Sequence, residues 1–546
     1  MLTTFIERAL LAAWERVIPG TAPESVEVRP SDRVEFGDYS TNLALVEGKA
    51  RGRNPRELAL LLVDWLRDGE AFERVEVAGP GFVNVFLRPS LIHEALARIL
   101  RASPSAALAS DGNGMKVQIE FVSSNPTGPL TVGHGRQAVL GDALASLYEA
   151  LGYDVSREYY FNDEGRQIDL LARSLWVRYR EGFGDSVEIP EDGYRGDYLV
   201  DLGRELRDEM GDAHPVFDEE AAGFFREIAV SRMTALIKAE LAELGVRFDT
   251  WFSEATLHRR GEVDAALRTL RARGGTHERD GAEWLRAEAH GGTKDAVLIR
   301  GDGRPTYLMV DIAYHIDKHR RGFERVINVQ GADHQAEQSC MKAAMRILGY
   351  DEDFLDYAVH QFVTIREAGD TTRMSTRAGR FLRLADLTQE LGPDVVRYFM
   401  VARKPESHLE FDLELARAES LDNPVYYIQY ANTRIASIFR KANRASETDV
   451  SFSRFTPLAA REELDLIKAL DRFPDVVREA AHRFAPHLVA EYALELARAF
   501  HAYYGEYRVI GETEDVTVAR LHLLQALRSV FERCLGMLGM SVPQEM

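Results

Sequence analysis

A chain of 546 residues exceeds what one hydrophobic core organises and is expected to divide into roughly three or four domains. Hydrophobic residues at 45% and charged residues at 28% are ordinary for a soluble globular protein, and no run of about 18 apolar residues occurs, which excludes a membrane-spanning helix. A net charge of −20 excludes a general nucleic-acid coat but leaves room for a local basic groove, because phosphate affinity follows where Lys and Arg cluster.

The first stretch, Met1 to Gly20, puts Leu2, Phe5, Ile6, Leu10, Trp14 and Val17 on one helical face and carries Glu7 and Glu15. That predicts an amphipathic folded helix, not a targeting peptide. A short strand is expected near Val26–Val28, then a turn and helix cap over Phe36-Gly37-Asp38-Tyr39-Ser40-Thr41-Asn42. Asn54-Pro55 reads as the N-cap and first residue of a helix. Gly79-Pro80-Gly81 between two strand-like runs predicts a hairpin. Residues 1–105 thus read as a small α+β unit, ending in the small, polar linker Ala102 to Gly114.

Lys116 to Val122 alternates as a strand does, and Leu140, Ala143, Leu144, Leu147, Tyr148 and Leu151 recur at helical spacing. Asp154 to Phe161 reads as a second strand. Between strand and helix lies Ser123-Ser124-Asn125-Pro126-Thr127-Gly128-Pro129-Leu130-Thr131-Val132-Gly133-His134-Gly135-Arg136. A loop of this kind entering a helix within a βαβ unit presents unpaired N–H groups to anions, and its glycines let a phosphate or flat ring approach the main chain. A Gly-His-Gly by itself is equally consistent with a tight turn. Residues 164–250 turn helical and charged, which suggests an insertion, and Ala296–Arg300 and Arg325–Val329 read as further strands of a parallel sheet. Downstream, Arg373-Met374-Ser375-Thr376-Arg377-Ala378-Gly379 is a basic, glycine-hinged loop suited to closing over a triphosphate. From about residue 411 the periodicities over 464–481, 486–504 and 516–538 predict a helical bundle. Cys340 and Cys534, far apart and without metal-ligand spacing, point to a reduced compartment and no zinc site.

Thr131-Val132-Gly133-His134 and Arg373–Gly379 resemble, in this order, the two signatures of class I aminoacyl-tRNA synthetases. Within that class the chain is similar to the arginyl-tRNA synthetases along nearly its whole length. The similarity runs through Phe36–Tyr39, Ser124–Leu130, Gly133–Arg136, Asn162-Asp163, Pro305–Tyr307, Asp311–His315, Gly331–His334 and Asn423–Ala431. It implies an α/β fold with a Rossmann-type parallel-sheet catalytic domain over 115–365, carrying the helical insertion around 164–250. A second-signature loop and junction would follow over 366–410, with an N-terminal tRNA-binding domain over 1–105 and an all-helical anticodon-binding domain over 411–546. The implied reaction joins L-arginine to the 2′-hydroxyl of the terminal adenosine of tRNA(Arg) through an arginyl-adenylate made from ATP. Mg²⁺ would travel with the phosphates, with no protein metal site, and the enzyme would be a cytoplasmic monomer.

The same resemblance assigns ATP binding to Thr131, Gly133, His134, Arg136, His334, Met374 and Ser375, and catalysis to His134, Arg373, Ser375 and Arg377. Arginine would be held by Asn125, Glu254, Tyr307, Asp311 and Gln335. A planar cation with five donors calls for carboxylates and a hydroxyl or aromatic partner, and Tyr307 and Asp311, four apart, can share one helix face. tRNA would meet Tyr39 and Asn84 near the N-terminus, and Tyr427, Gln429, Tyr430, Arg434, Arg440 and Tyr504 in the helical tail. Aromatics interleaved with cations suit unstacked bases above a phosphate track. His315 is expected to be structural. Two positions depart from the class pattern: Thr131 replaces the first signature histidine, and Thr376 stands where many members carry a catalytic lysine.

Overall fold

The computed structural model describes residues 1–31, 33–67, 71–101, 108, 110–332, 335–367, 370–372, 382–443 and 454–545. The N-terminal unit comprises α1 (Leu2–Val17), β1 (Val28–Pro30), β2 (Tyr39–Thr41), α2 (Leu43–Ala50), α3 (Pro55–Arg67), β3 (Phe72–Ala78), β4 (Phe82–Leu87) and α4 (Pro89–Arg101). Its strands form one antiparallel sheet in the order β1-β2-β4-β3. Asn54 caps α3, its Oδ1 accepting the Arg56 N–H at 3.0 Å ahead of the fixed φ of Pro55. The Gly79-Pro80-Gly81 turn joins β3 to β4, with positive φ at both glycines.

The central region begins with β5 (Lys116–Glu120), α5 (Val132–Ala150) and β6 (Asp154–Phe161). Three helices, α6 (Arg166–Glu181), α7 (Asp197–Met210) and α8 (Glu219–Glu243), then precede β7 (Thr250–Ser253). They bury Leu171, Leu175, Trp176, Tyr179, Leu199, Leu206 and Phe225 in a core of their own. After β7 come α9 (Ala255–Arg259), α10 (Glu262–Ala272), β8 (Thr276–Arg279), β9 (Ala282–Leu285), β10 (Ala296–Ile299), α11 (Tyr307–Arg320), β11 (Arg325–Gly331), α12 (Gln335–Ile347) and β12 (Leu355–His360). The main sheet is parallel throughout, in the order β12-β11-β5-β6-β7. β10 departs from the sequence expectation: it pairs antiparallel with β9, which pairs with β8, in a separate small sheet. Asp280 and Gly281 both take positive φ and make the tight β8–β9 hairpin turn that an Asp-Gly pair favours, and β10 adds to that hairpin by pairing Ala296 with Leu285.

The chain continues through β13 (Val363–Glu367), β14 (Asp370–Thr372), α13 (Leu384–Leu391), α14 (Pro393–Val401) and β15 (Leu409–Asp412), with β13 between β14 and β15 in a third small sheet. The tail is helical: α15 (Leu413–Arg417), α16 (Pro424–Lys441), α17 (Arg461–Asp471), α18 (Phe473–His482), α19 (His487–Glu506) and α20 (Glu514–Met537). One continuous apolar core runs from Leu2 and Trp14 through Val117 and Leu144 to Phe500 and Leu527. No helix is long and apolar enough to cross a membrane among the described residues.

The Phe36–Tyr39 motif fastens the two ends of the chain together. Gly37 has φ 81°, and a Cβ there would lie 2.6 Å from the Val85 carbonyl oxygen. This brings Asp38 to accept the Leu87 N–H at 2.7 Å and to pair with Lys468 of α17. Nearby, Arg98 donates to Asp471 at 3.1 Å and the Thr3 hydroxyl to Asp475 at 3.0 Å. Gly37→Ala is expected to destabilise the protein by about 1–3 kcal/mol, combining strained φ with a backbone clash. Urea unfolding of wild type and variant measures it.

Candidate active site

The order in which strands are added reverses at β5: β6 and β7 follow on one side of it, while β11 and β12 lie on the other. Open α/β sheets bind ligands beyond the carboxyl ends of their strands at this switch point. A cleft of about 910 Å³ opens there, lined by Ser123–Asn125, Thr131, Gly133 and His134 on one side and Asn328–Gly331 and His360–Val363 on the other. β5 ends two residues earlier than its sequence pattern suggests, because Val122 and Ser123 turn into the left-handed region at φ 66° and 43°. Such conformations cost about 1–3 kcal/mol each and persist where packing imposes them, typically at functional sites. Here they swing the loop over the sheet edge, and α5 then packs onto β5 so closely that a Cβ on Gly141 would sit 2.2 Å from Phe121.

At the start of α5, the Thr131 N–H donates to His134 Nδ1 at 3.1 Å, and the Thr131 hydroxyl lies 3.2 Å from the same nitrogen. Burial, reinforced by His360, pushes the His134 pKa down to about 4. The ring is therefore neutral, with Nδ1 accepting, so Nε2 carries the proton as a donor. Gly133 is exposed to the cleft; a Cβ there would meet only the Thr131 hydroxyl, at 3.6 Å. Arg136 does not belong to this face. It is fully buried, donating to the carbonyls of Gln361 at 2.7 Å, Ser407 at 3.0 Å and Lys404 at 3.0 Å, which places it away from the cleft lining. The segment after the second signature lies against the first: Thr131 bridges Arg383, and the Leu384 N–H donates to the Leu130 carbonyl at 2.9 Å.

The other half of the cleft is acidic. Tyr307 and Asp311 on the first turns of α11 both line it, as do Glu254, Glu120 and Glu337. Tyr160 donates its hydroxyl to Glu254 Oε2 at 2.5 Å and Asn162 its amide to Oε1 at 2.8 Å. Burial first, then Glu120, Glu254 and Glu337, raise the Asp311 pKa well above the usual carboxylate range. Burial likewise raises Glu254. Among the described residues lining the cleft there is neither Lys nor Arg. Lys318, a cation close enough to act on Asp311, is fully buried and held by Glu120 at 2.6 Å and Asn328 at 3.2 Å. Asn125 lines the cleft with its amide oriented by Gln167 at 2.7 Å and by the Asn162 N–H at 3.3 Å. His315 is buried, its Nδ1 2.7 Å from the Asp311 carbonyl and its Nε2 3.0 Å from Asn328, and burial keeps it neutral.

His334, Arg373, Met374, Ser375 and Arg377 lie outside the described residues, as does the side chain of Gln335, the first residue of α12. Among the expected tRNA contacts, Tyr39 and Asn84 are 1% and 4% exposed and set within the N-terminal sheet. Gln429 is buried too, donating to Asp394 at 2.8 Å. Tyr427, Tyr430, Arg434 and Tyr504 do meet, on the face shared by α16 and α19. The Arg434 guanidinium lies 5.2 Å from the Tyr430 ring and 5.4 Å from Tyr504, and His501 packs edge-on to Tyr427 and stacks on Tyr430. Arg440 is exposed at the end of α16, donating to the Gln544 carbonyl at 3.2 Å. Sequence reading passed over Glu120, Tyr160 and His501. The first two sit in ordinary strand patterns and gain meaning only from partners far along the chain.

A parallel sheet with a helix-entering loop at its switch point is a nucleotide-binding architecture shared by many enzymes, and the family matches narrow it to the class I aminoacyl-tRNA synthetases. Residues 96–398 match the family described as tRNA synthetases class I (R), catalytic domain; residues 3–87 match the arginyl tRNA synthetase N-terminal domain, and residues 428–546 the DALR anticodon binding domain. An arginine–tRNA ligase of Thermotoga maritima is 43% identical over 523 residues, 95% of each chain, and one of Desulforudis audaxviator is 44% identical over 99% of this chain and 98% of its own. A solved structure titled as a putative arginyl-tRNA synthetase from Campylobacter jejuni superposes with a TM-score of 0.77 at 33% identity, over 84% of this chain and all of that one. The chain belongs to the arginyl-tRNA synthetase family and is an aminoacyl-tRNA ligase acting on arginine.

Because Asp311 binds its proton more tightly folded than unfolded, stability falls as pH rises from the ordinary Asp range through the raised value. Asp311→Asn is therefore expected to melt at a higher temperature than wild type at pH 8, the difference shrinking as pH approaches 4. Thermal unfolding of the ligand-free proteins across that range measures it.

Proposed function

We propose that the cleft condenses L-arginine with ATP to arginyl-adenylate and passes the arginyl group to the 2′-hydroxyl of the terminal adenosine of tRNA(Arg). One observation carries this reading: a carboxylate-lined pocket with no cation among its described lining residues shares a cleft with the neutral, donor-rich start of α5. Asp311 and Glu254 bind the guanidinium, with the exposed Tyr307 ring flanking it, and Asn125 keeps one amide hydrogen for the amino-acid end. The arginine carboxylate then attacks the α-phosphorus in line; the bond to the bridging oxygen breaks, and pyrophosphate leaves with that electron pair. Val132 and Gly133 N–H groups, which a first helical turn leaves without intrahelical acceptors, and His134 Nε2–H face the charge that develops. Removing one such donor typically costs about 2–4 kcal/mol in the transition state. In the second step the ribose 2′-oxygen attacks the arginyl carbonyl and AMP departs.

Mg²⁺ would neutralise the phosphates; the donors on that side are neutral, so the residues suit an ion carried on phosphate oxygens. The family, the acidic pocket and the Tyr427–Tyr430–Arg434–Tyr504 face together support tRNA as the acceptor, with unstacked bases stacking on those rings. A cytoplasmic, monomeric enzyme remains the working expectation.

Aminoacylation kinetics test the reading. Asp311→Asn should lower kcat/KM for arginine on the order of a hundredfold, the loss of about 3 kcal/mol from a desolvated charge pair, with KM for ATP unchanged. Unchanged arginine kinetics would sink the pocket assignment. Gly133→Ala should leave the melting temperature in place, since its Cβ enters open space, yet raise KM for ATP at least about tenfold as the methyl meets the nucleotide. Tyr430→Ala should raise KM for tRNA about tenfold, the worth of one base stack, with KM for arginine unmoved.

A further inference from the structure

The helices between β6 and β7 hold the signature loop at three successive points. Gln167 of α6 accepts from the Asn125 amide at 2.7 Å. Tyr198 of α7 donates its hydroxyl to the Thr127 carbonyl at 2.6 Å and packs on Gly128, where a Cβ would lie 2.9 Å from that hydroxyl. Glu240 of α8, only 3% exposed, accepts the Leu130 N–H at 2.7 Å through Oε2, and its Oε1 lies 3.7 Å from Arg383. Arg383 in turn bridges Thr131. A buried carboxylate on an inserted helix thus touches the first signature loop and the strand that returns from the second.

We propose that this insertion is a splint for the nucleotide loop, and that Glu240 and Tyr198 are positioning residues for the adenylation step. Glu240 fixes Leu130, the residue before the α5 N-cap, and so sets where the Val132 and Gly133 N–H groups and His134 point. Its neighbours explain why the anchor is strong. The N–H it receives would otherwise be buried and unpaired, and the carboxylate lies in an apolar site that raises its pKa despite Leu130 and Arg383. Tyr198 holds the same loop three residues earlier from an independent helix. Since the insertion has its own core, the splint is stiff by itself and transfers that stiffness to a loop otherwise rich in proline and glycine.

The inference rests on reading the cleft as the adenylation site, and aminoacylation kinetics of the full-length enzyme separate the two. An inactive wild type with arginine, ATP, Mg²⁺ and tRNA would overturn the site reading itself. With an active wild type, Tyr198→Phe, which deletes one hydrogen bond without changing volume, should lower kcat three- to tenfold and leave KM for arginine and the melting temperature in place. Glu240→Ala should lower kcat thirtyfold or more, while Glu240→Gln, whose amide oxygen still accepts the Leu130 N–H, recovers most of it. The double variant Tyr198→Phe/Glu240→Ala should lose less than the product of the single losses, because both act on one loop. Unchanged kcat in Tyr198→Phe, equal losses in Glu240→Gln and Glu240→Ala, or strictly multiplicative losses would each overturn the splint.

Discussion

Arg397 ties the architecture together. Its guanidinium is fully buried and meets Asp142 of α5 at 2.5 Å, the Leu538 carbonyl at the end of the helical tail at 2.7 Å, and the Leu244 carbonyl after the insertion at 3.1 Å. A buried guanidinium is tolerable only when paired and hydrogen-bonded, so these three segments must arrive together or leave a charge stranded in the core. The fit is tight: a Cβ on Gly539, at φ 67°, would fall 2.1 Å from Arg397. Asp142 also takes Arg157 from β6, binding the middle of α5 to the sheet and the tail alike. Arg136 fixes the first turn of the same helix to Gln361, Lys404 and Ser407. The helix whose N-terminus faces the phosphates is therefore pinned at two levels, and the pins come from the region downstream of the cleft and from the tail.

That rigidity lets the cleft hold arrangements a looser protein would relax. Val122 and Ser123 keep left-handed backbone, and Asp311 stays among Glu120, Glu254 and Glu337 at the cost of a raised pKa. Both are unfavourable in the free protein, and a cation beside Asp311 would relieve the second by favouring its charged form. Electrostatic preorganisation has this form: the cost of orienting the groups is met in folding, and none is left for the moment of reaction.

How much of this could be read beforehand depended on whether the signal was local. The β5–loop–α5–β6 unit, the Asn54-Pro55 helix start and the four-residue spacing of Tyr307 and Asp311 follow from neighbouring residues, and the structure places them accordingly. β10 leaves the parallel sheet because it adds to the β8–β9 hairpin turned by Asp280-Gly281, a partnership that its own strand pattern does not signal. Tyr39, Asn84, Arg136 and Gln429 sit in motifs that identify the family, yet similarity says nothing of which way a side chain faces, and all four turn inward. Glu120, Glu240 and Lys318 carry no motif; Glu240 meets Leu130 110 residues away and Lys318 meets Glu120 198 residues away, and no short window of sequence contains both halves of either contact.

The juxtaposition of the two half-sites also explains the character of the signature loop. A pocket built to attract a guanidinium would attract any flexible Lys or Arg within reach, and an intramolecular competitor acts at effective concentrations on the order of millimolar. The described cleft answers this by keeping formal positive charge off its walls: His134 is neutral, Arg136 is withdrawn among carbonyls, and Lys318 is clamped by Glu120 and Asn328 over the Tyr314 ring. On the described walls of this half the groups able to meet an anion are N–H dipoles and an imidazole proton, which cannot swing across into the acidic half. Thr131 fits the same logic. A hydroxyl holds the imidazole in its donor tautomer without adding a second titratable ring beside His134, whose charge His360 already opposes.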